Sequence, residues 1–136
     1  MNKILVDTNI VLDVFLEREP FVTQSRLLLE KTRKLGGEIF LSATTITDLY
    51  YIARKAKGKK KALDFIKNLL QFVEIASVDK RVILQALEAD FTDFEDAVQE
   101  NSAKNENINV IITRNEADFK NSNLEIYTPE AYLNKS

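Results

Sequence analysis

The chain has 136 residues, a net charge of −2 and a hydrophobic fraction of 45%, which predicts one domain, spanning residues 1–136, with a substantial core. It contains no cysteine and no histidine, which excludes disulfides, thiolate metal sites and any base, nucleophile or ligand built on imidazole. No apolar run approaches the roughly 20 residues of a membrane span, and Asp7 and Asp13 interrupt the apolar N-terminal segment, so we expect a cytoplasmic protein with no membrane partner.

Strand and helix patterns alternate along the chain. In chain order, the predicted elements are a strand over 3–7, a helix over 9–18, a helix from Pro20 to Gly36, a strand over 38–41, a helix capped by Ser42 and running to Lys57, a helix over 60–70, a strand over 72–76, a helix capped by Asp79, a helix over 93–104, a strand over 109–113, a short strand over 124–127, and a helix opened by Pro129.

This alternation predicts an α/β fold, a three-layer α/β/α sandwich around a central, mostly parallel sheet. Right-handed crossovers between parallel strands bring the carboxyl ends of the strands to one edge of the sheet. In open α/β sheets, ligands bind in the crevice beyond that edge. Residues that follow a predicted strand are therefore the candidates for a functional site.

Acidic and polar residues converge on this edge from four places in the chain. Each also has a structural explanation, because Asp residues form turns, cap helices and face solvent on helices. The positions are Asp7 at the end of the first strand, Asp48 on the helix after the second, Asp93 and Asp96 at the start of the helix before the fourth strand, and Thr113, Asn115 and Asp118 just after that strand.

The segment around Asp93 carries the least compensated charge. Asp93, Asp96 and Glu100 are three and seven residues apart, and no Lys or Arg lies between them. Like charges at such spacing destabilise a helix by about 0.2–0.5 kcal/mol per pair. A divalent cation would remove this repulsion, and carboxylates favour hard cations such as Mg²⁺ or Mn²⁺. The cluster therefore predicts a metal site of the kind that supports phosphodiester hydrolysis without histidine.

Four segments resemble the ordered motifs of the PIN domain family, in particular the single-domain bacterial proteins of the VapC toxin type. They are Asp7-Thr-Asn-Ile-Val-Leu-Asp, Thr47-Asp-Leu-Tyr-Tyr, Asp93-Phe-Glu-Asp-Ala-Val-Gln and Ile112-Thr-Arg-Asn-Glu-Ala-Asp-Phe, followed near the end by Tyr127-Thr-Pro-Glu. The resemblance covers nearly the whole chain. It implies a metal-dependent ribonuclease that prefers single-stranded RNA, forms a homodimer and is inhibited by a small antitoxin protein.

The resemblance also implies roles for individual residues. Asp7, Asp48 and Asp96 are expected to be the catalytic metal ligands, and Asp93 an auxiliary carboxylate. Two positions depart from the family pattern, since Asp48 replaces the more usual Glu and Asn115 replaces an Asp. The supporting positions are Asn9, expected to orient Asp7 by a hydrogen bond, together with Thr113, Asn115 and Asp118.

Six basic residues occupy the eight positions from Arg54 to Lys61. This run is explained equally well by a solvated helix end and by a patch that contacts RNA phosphates without reading sequence. The expected RNA contacts are Arg54, Lys55, Lys57 and Lys59. Tyr50 and Tyr51 on the preceding helix are expected in the core, although one of them could stack on a base.

Two other functions compete with the ribonuclease. An aspartate-based phosphatase or receiver domain needs a second carboxylate near the first strand and a Lys after a later one. Asn9 occupies the place of that carboxylate, and the segment Ile126-Tyr-Thr-Pro lacks the Lys. A non-catalytic module that binds RNA or protein would keep the fold with a weakened site, which the neutral Asn115 favours.

Overall fold

The computed structural model describes residues 2–135, which form a five-stranded sheet covered by helices on both faces. The strands are β1 (Lys3–Val6), β2 (Glu38–Ser42), β3 (Glu74–Ala76), β4 (Val110–Ile112) and β5 (Glu125–Tyr127). The helices are α1 (Thr8–Phe15), α2 (Val22–Lys34), α3 (Ala43–Lys57), α4 (Lys59–Leu69), α5 (Lys80–Glu88), α6 (Phe94–Asn105) and α7 (Pro129–Leu133), with a short 3₁₀ helix at Glu116–Phe119. Within residues 2–135, none of the helices has the length and apolar character that crossing a membrane requires.

The strand order is β3-β2-β1-β4-β5, and every neighbouring pair is parallel. Strand β1 is central, with Leu5 paired to Phe40 of β2 on one side and to Ile111 of β4 on the other. The predicted three-layer α/β/α fold is confirmed, and the sheet is parallel throughout. Because all strands run the same way, their carboxyl ends share one edge.

The central strands bury both of their faces. Ile4 and Val6 pack in one cluster with apolar residues of α1 and α2, whereas Leu5 packs on the opposite face with Ala103 of α6. All three strand residues are fully buried. A strand covered on both sides needs apolar residues at every position, which explains why the sequence there is continuously hydrophobic rather than alternating.

The helix boundaries confirm some of the predicted capping residues and correct others. Asp79 caps α5 by accepting a hydrogen bond from the Val82 amide at 3.0 Å, and Gly36, with a φ of 81°, follows the end of α2. The expectation that Pro20 opens α2 is wrong, because the backbone turns at Arg18 and the helix begins only at Val22. Ser42 precedes α3 as predicted, but its hydroxyl pairs with the Thr44 hydroxyl at 3.1 Å instead of capping the backbone.

A buried ion pair joins α1 to the segment that follows β4. Asp13 is fully buried, and its Oδ2 lies 2.8 Å from Nε of Arg114, while Nη2 of Arg114 donates to Oδ1 at 3.2 Å. Arg18 approaches the same carboxylate at 3.6 Å. The Arg114 guanidinium also stacks on the ring of Phe21, 3.9 Å from its centroid. The end of α1, the turn before α2 and the exit of β4 are therefore held together.

We expect Asp13→Asn to lower the free energy of unfolding by about 3 kcal/mol, because removing one partner of a buried ion pair leaves the other charge uncompensated. The measurement is urea unfolding followed by circular dichroism. Asp64→Asn is the matched control, since Asp64 pairs with Lys60 at 3.1 Å on an exposed helix face. Such pairs contribute about 0.3–0.5 kcal/mol. Equal losses for the two variants would contradict the structural importance of the buried pair.

Candidate active site

A cleft opens at the carboxyl edge of the sheet between α1, α3, α6 and the 3₁₀ helix. Asn9 and Asn115 line it, together with an unusual concentration of acidic side chains. No Lys or Arg of residues 2–135 contributes to this lining. The acidic residues are Asp7, Asp48, Asp93, Glu95, Asp96 and Asp118. The structure thus brings together the five Asp residues expected at the site from the sequence and adds Glu95.

Asp7 is the most firmly held of these carboxylates. It directly follows β1, is 8% exposed and caps α1 by accepting from the Thr8 amide at 2.7 Å. The same Oδ1 accepts from Nε2 of Gln99 at 3.0 Å, and Oδ2 accepts from the Thr113 hydroxyl at 2.9 Å. The Thr113 hydroxyl in turn accepts from the Asn115 amide at 3.1 Å. Both oxygens of Asp7 therefore have fixed orientations.

Glu95 and Asp48 form a carboxyl pair across the cleft. Asp48 lies in the second turn of α3 and is half-buried. A hydrogen bond with Asp48 raises the pKa of Glu95 to about 7, and burial and the negative charges of Asp48, Asp93 and Asp96 act in the same direction. Two carboxyl groups can share a hydrogen bond only when one of them holds a proton. Glu95 is therefore poised to release its proton near neutral pH.

Asp96 is a second carboxyl group whose charged form is disfavoured by its surroundings. Burial raises its pKa to about 7, and the nearby charges of Asp7, Asp93 and Asp118 add to the effect. Perturbed carboxyl groups collected in a cleft are typical of functional sites. The fold thus maintains an arrangement of like charges that no Lys or Arg among residues 2–135 relieves from within the cleft lining.

Contrary to the prediction from the sequence, Asp93 and Glu100 do not lie together with Asp96 on one uncompensated charged face of α6. Asp93 lines the cleft, but it also caps α6 by accepting from the Glu95 amide at 2.8 Å, so the structural explanation for its position is confirmed. The expectation that Glu100 extends the uncompensated face is wrong. Glu100 is 3% exposed, lies outside the cleft and pairs with Lys104 at 3.5 Å, because this part of α6 is packed into the core.

The residue that orients Asp7 differs from the predicted one. Asn9 lines the cleft, but its side-chain oxygen accepts from Arg18 at 3.4 Å, and the carboxylate of Asp7 is bound by Gln99 and Thr113 instead. Gln99 was missed from the sequence. Its spacing of three residues from Asp96 was the available signal, because residues three apart share a helix face.

The basic run lies beyond the cleft. Arg54, Lys55, Lys57 and Lys59 are exposed at the end of α3 and the start of α4, and the cleft lining does not include them. The expectation that Tyr51 lies in the core is wrong, because its side chain is 66% exposed and forms part of the cleft wall. Tyr50 is half-buried and contacts the Tyr51 ring edge-on, with 5.6 Å between the centroids.

The donors in the cleft fit a hard divalent cation. They are carboxylate and amide oxygens, the ligands that Mg²⁺ and Mn²⁺ prefer. Within residues 2–135 no three acidic side chains form a compact ligand cluster. Mg²⁺ usually keeps several waters and is bound through one or two carboxylates. An open acidic cleft therefore suits this ion better than it suits a fully protein-ligated metal.

The fold and the site define the class of protein. The model of the PIN domain family matches residues 3–117, and the chain belongs to this family. Its sequence is 32% identical to Ribonuclease VapC1 of Aquifex aeolicus strain VF5 over 142 residues, which covers 98% of this chain and 94% of that protein.

Two of the solved structures with a similar fold are a VapC toxin and a toxin–antitoxin complex. VapC20 of Mycobacterium tuberculosis, a toxin that cleaves the sarcin-ricin loop, has a TM-score of 0.72 and 15% identity, with 89% of this chain and 95% of that chain covered. A toxin–antitoxin complex from Klebsiella pneumoniae contains a chain with a TM-score of 0.69 and 20% identity, with coverage of 92% and 96%. These similarities show that the fold is shared.

The raised pKa of Asp96 predicts a pH dependence of stability in the absence of metal. Its pKa lies at about 7 in the folded protein and at the ordinary 3.8 when unfolded, so between these values the folded state binds more protons than the unfolded state. Stability must then fall as the pH rises through this window. We expect Asp96→Asn to remove this part of the decrease and to raise the melting temperature at pH 8 by roughly 2–4 °C.

The measurement is thermal unfolding in EDTA from pH 4 to pH 8. Asp90→Asn serves as the control, because Asp90 is exposed and lies outside the cleft lining. Identical pH profiles for the parent and Asp96→Asn would show that Asp96 is not under electrostatic strain.

Proposed function

We propose that this protein is a Mg²⁺- or Mn²⁺-dependent endoribonuclease that cleaves single-stranded or structured RNA, and that it is the toxin of a toxin–antitoxin pair. The observation that carries the proposal is the acidic cleft, in which Asp7 is fixed beside Asp48 and Asp96 without a compensating cation from residues 2–135. The identity to a protein named Ribonuclease VapC1 supports RNA as the substrate.

Asp7, Asp48 and Asp96 would hold the cation, with Asp93 as an auxiliary carboxylate. A bound divalent cation lowers the pKa of a coordinated water and stabilises the charge that develops on the phosphate. Gln99 and Thr113 keep the Asp7 oxygens in a fixed orientation, which spares the site from reorganising during the reaction.

The neighbouring residues complete the site from two sides. Glu95 adds a carboxyl group beside Asp48 and releases the proton held between them as the site becomes fully ionised. Asn115 contributes an amide where a carboxylate is usual in the family, and Asp118 lies on the same wall of the cleft. Asp118 thus supplies a negative charge on the wall where Asn115 is neutral, and Glu95 supplies a second carboxyl group near the shorter side chain of Asp48.

The protein partners are also proposed. The similarity to a chain of a toxin–antitoxin complex supports a small antitoxin protein that binds and inhibits this chain. The homodimer implied by the family resemblance is proposed on that ground alone. Copurification with the product of a small neighbouring reading frame would test the first proposal, and light scattering would test the second.

We expect Asp7→Asn and Asp96→Asn each to reduce cleavage of single-stranded RNA by about 100-fold or more. Loss of residues that merely support a metal ligand already costs about 10–100-fold. The assay follows the cutting of a labelled RNA with Mg²⁺ or Mn²⁺ and includes an EDTA control. Asp90→Asn should retain the activity of the parent, and retained cleavage by both cleft variants would refute the assignment of the site.

The same proteins distinguish the enzyme from a non-catalytic module, the alternative that the neutral Asn115 favours. Calorimetry with Mn²⁺ measures whether the cleft binds metal, and the RNA assay measures whether binding is accompanied by cleavage. A parent protein that folds and binds RNA but neither binds Mn²⁺ nor cuts would identify the module.

The hydrogen bonds to Asp7 predict a second set of effects. We expect Gln99→Met and Thr113→Val, which keep the side-chain size but remove the donor, each to weaken Mn²⁺ binding by about 10–100-fold. Isothermal calorimetry is the measurement. Thr47→Val is the control, because the exposed Thr47 hydroxyl donates to the Thr44 carbonyl and lies outside the cleft lining. Unchanged affinity in both cleft variants would show that Asp7 needs no support.

A further inference from the structure

A second depression adjoins the acidic cleft, and we propose that it binds the RNA strand next to the phosphate that is cleaved. This inference rests on the proposed ribonuclease function and identifies how its substrate is held. We name the depression the Tyr51 groove. It is lined by Leu16, Arg18, Tyr51, Ile52, Lys55 and Ala56.

The groove is continuous with the cleft. Tyr51 and Ile52 line both, so a ligand that leaves the cleft on this side must pass over them. Both follow Asp48 on α3 by three and four residues, and Lys55 follows it by seven, which places all of them along one face of the helix. At 1.5 Å per residue, Lys55 lies about 10 Å along the axis from Asp48.

The charge changes sign between the two depressions. The cleft lining is acidic, whereas the groove lining contains Arg18 and Lys55 and, within residues 2–135, no acidic side chain. A chain of phosphodiesters suits this pattern, because one phosphate can approach cations held in the cleft while its neighbours contact the basic groups directly. A single small anion would not span both depressions.

The apolar part of the groove offers a surface for a base. Tyr51 is 66% exposed and Ile52 is 41% exposed, so each presents a large face to solvent. Proteins that bind single strands combine a positively charged groove with aromatic side chains on which bases stack. With only a few exposed apolar side chains, the groove is small for a stable protein interface, which buries about 800 Å² per partner. We therefore assign it to RNA.

Only one lysine of the basic run reaches this groove. Lys55 is exposed and forms no ion pair with another residue of the described range 2–135. Lys57 is directed elsewhere, with its Nζ donating to the Phe15 carbonyl at 3.2 Å, and Lys60 pairs with Asp64. Arg18 is positioned by Asp13 at 3.6 Å and by Asn9 at 3.4 Å. The structure therefore separates Lys55 from its equally basic neighbours.

The test measures binding of a fluorescein-labelled single-stranded RNA by anisotropy in Mg²⁺, with every variant made in the Asp7→Asn background so that cleavage does not interfere. We expect Tyr51→Ala and Lys55→Ala each to raise Kd by about 10-fold. Tyr51→Phe should retain the parent affinity because it keeps the stacking ring. Lys57→Ala is the matched control and should also bind like the parent.

The salt dependence of RNA affinity distinguishes the phosphate contact of Lys55 from the base stacking of Tyr51. Each phosphate contact with a single strand contributes about 0.7 to the slope of log K against log salt. We expect Lys55→Ala to reduce that slope by about this amount and Tyr51→Ala to leave it unchanged. A purely structural effect of either substitution would instead lower the melting temperature, which is measured in parallel.

Parent-like RNA affinity in both groove variants, or an equal loss in Lys57→Ala, would overturn the inference and leave the groove to a protein partner. Failure of the parent protein to bind RNA would also overturn it. Absence of cleavage by the wild-type chain, with RNA binding that depends on Tyr51 and Lys55, would instead refute the proposed ribonuclease function and support the groove.

Discussion

The structure depends on the buried carboxylate of Asp7. A carboxylate that leaves water costs several kcal/mol unless hydrogen bonds replace its hydration. Three donors do so here: the Thr8 amide, Gln99 on α6 and Thr113 after β4. The Thr8 amide is adjacent in sequence, whereas Gln99 and Thr113 belong to distant segments that reach Asp7 only when the parallel sheet has formed. Asp7 therefore links the end of the central strand to α6 and to the exit of β4.

Basic side chains of the described residues neutralise Asp13 on α1 but do not line the acidic cleft. Asp13, two turns further along α1, is neutralised by Arg114 and approached by Arg18. No basic side chain in the described part of the chain enters the cleft lining, where the pKa of Asp96 rises to about 7. A sequence optimised only for stability would place an arginine there. Retaining such strain is characteristic of a site whose charge is completed by a ligand.

Local patterns sufficed for the order of the elements and for the edge that carries the acidic residues, because hydrophobic runs and strand ends are local properties. Side-chain partners were less predictable. Gln99 and Thr113 bind Asp7 across 92 and 106 residues of sequence, and no local rule specifies such pairs. Glu100 was misplaced because the buried face of α6 was unknown, and Asn9 because Arg18 offered a competing partner.

The position of Glu95 explains how the site can accommodate Asp48 in place of the Glu that is usual in the family. Asp48 is one methylene shorter than the usual Glu, and a carboxyl group with a shorter reach needs a neighbour that extends the acidic surface. Glu95, on the facing helix, provides one when it loses the proton that it shares with Asp48, since its pKa is raised to about 7. Asp48 and Tyr51 share one face of α3, so this helix carries both a proposed metal ligand and a wall of the groove. In the proposed mechanism, metal binding and RNA placement therefore both depend on the position of a single helix.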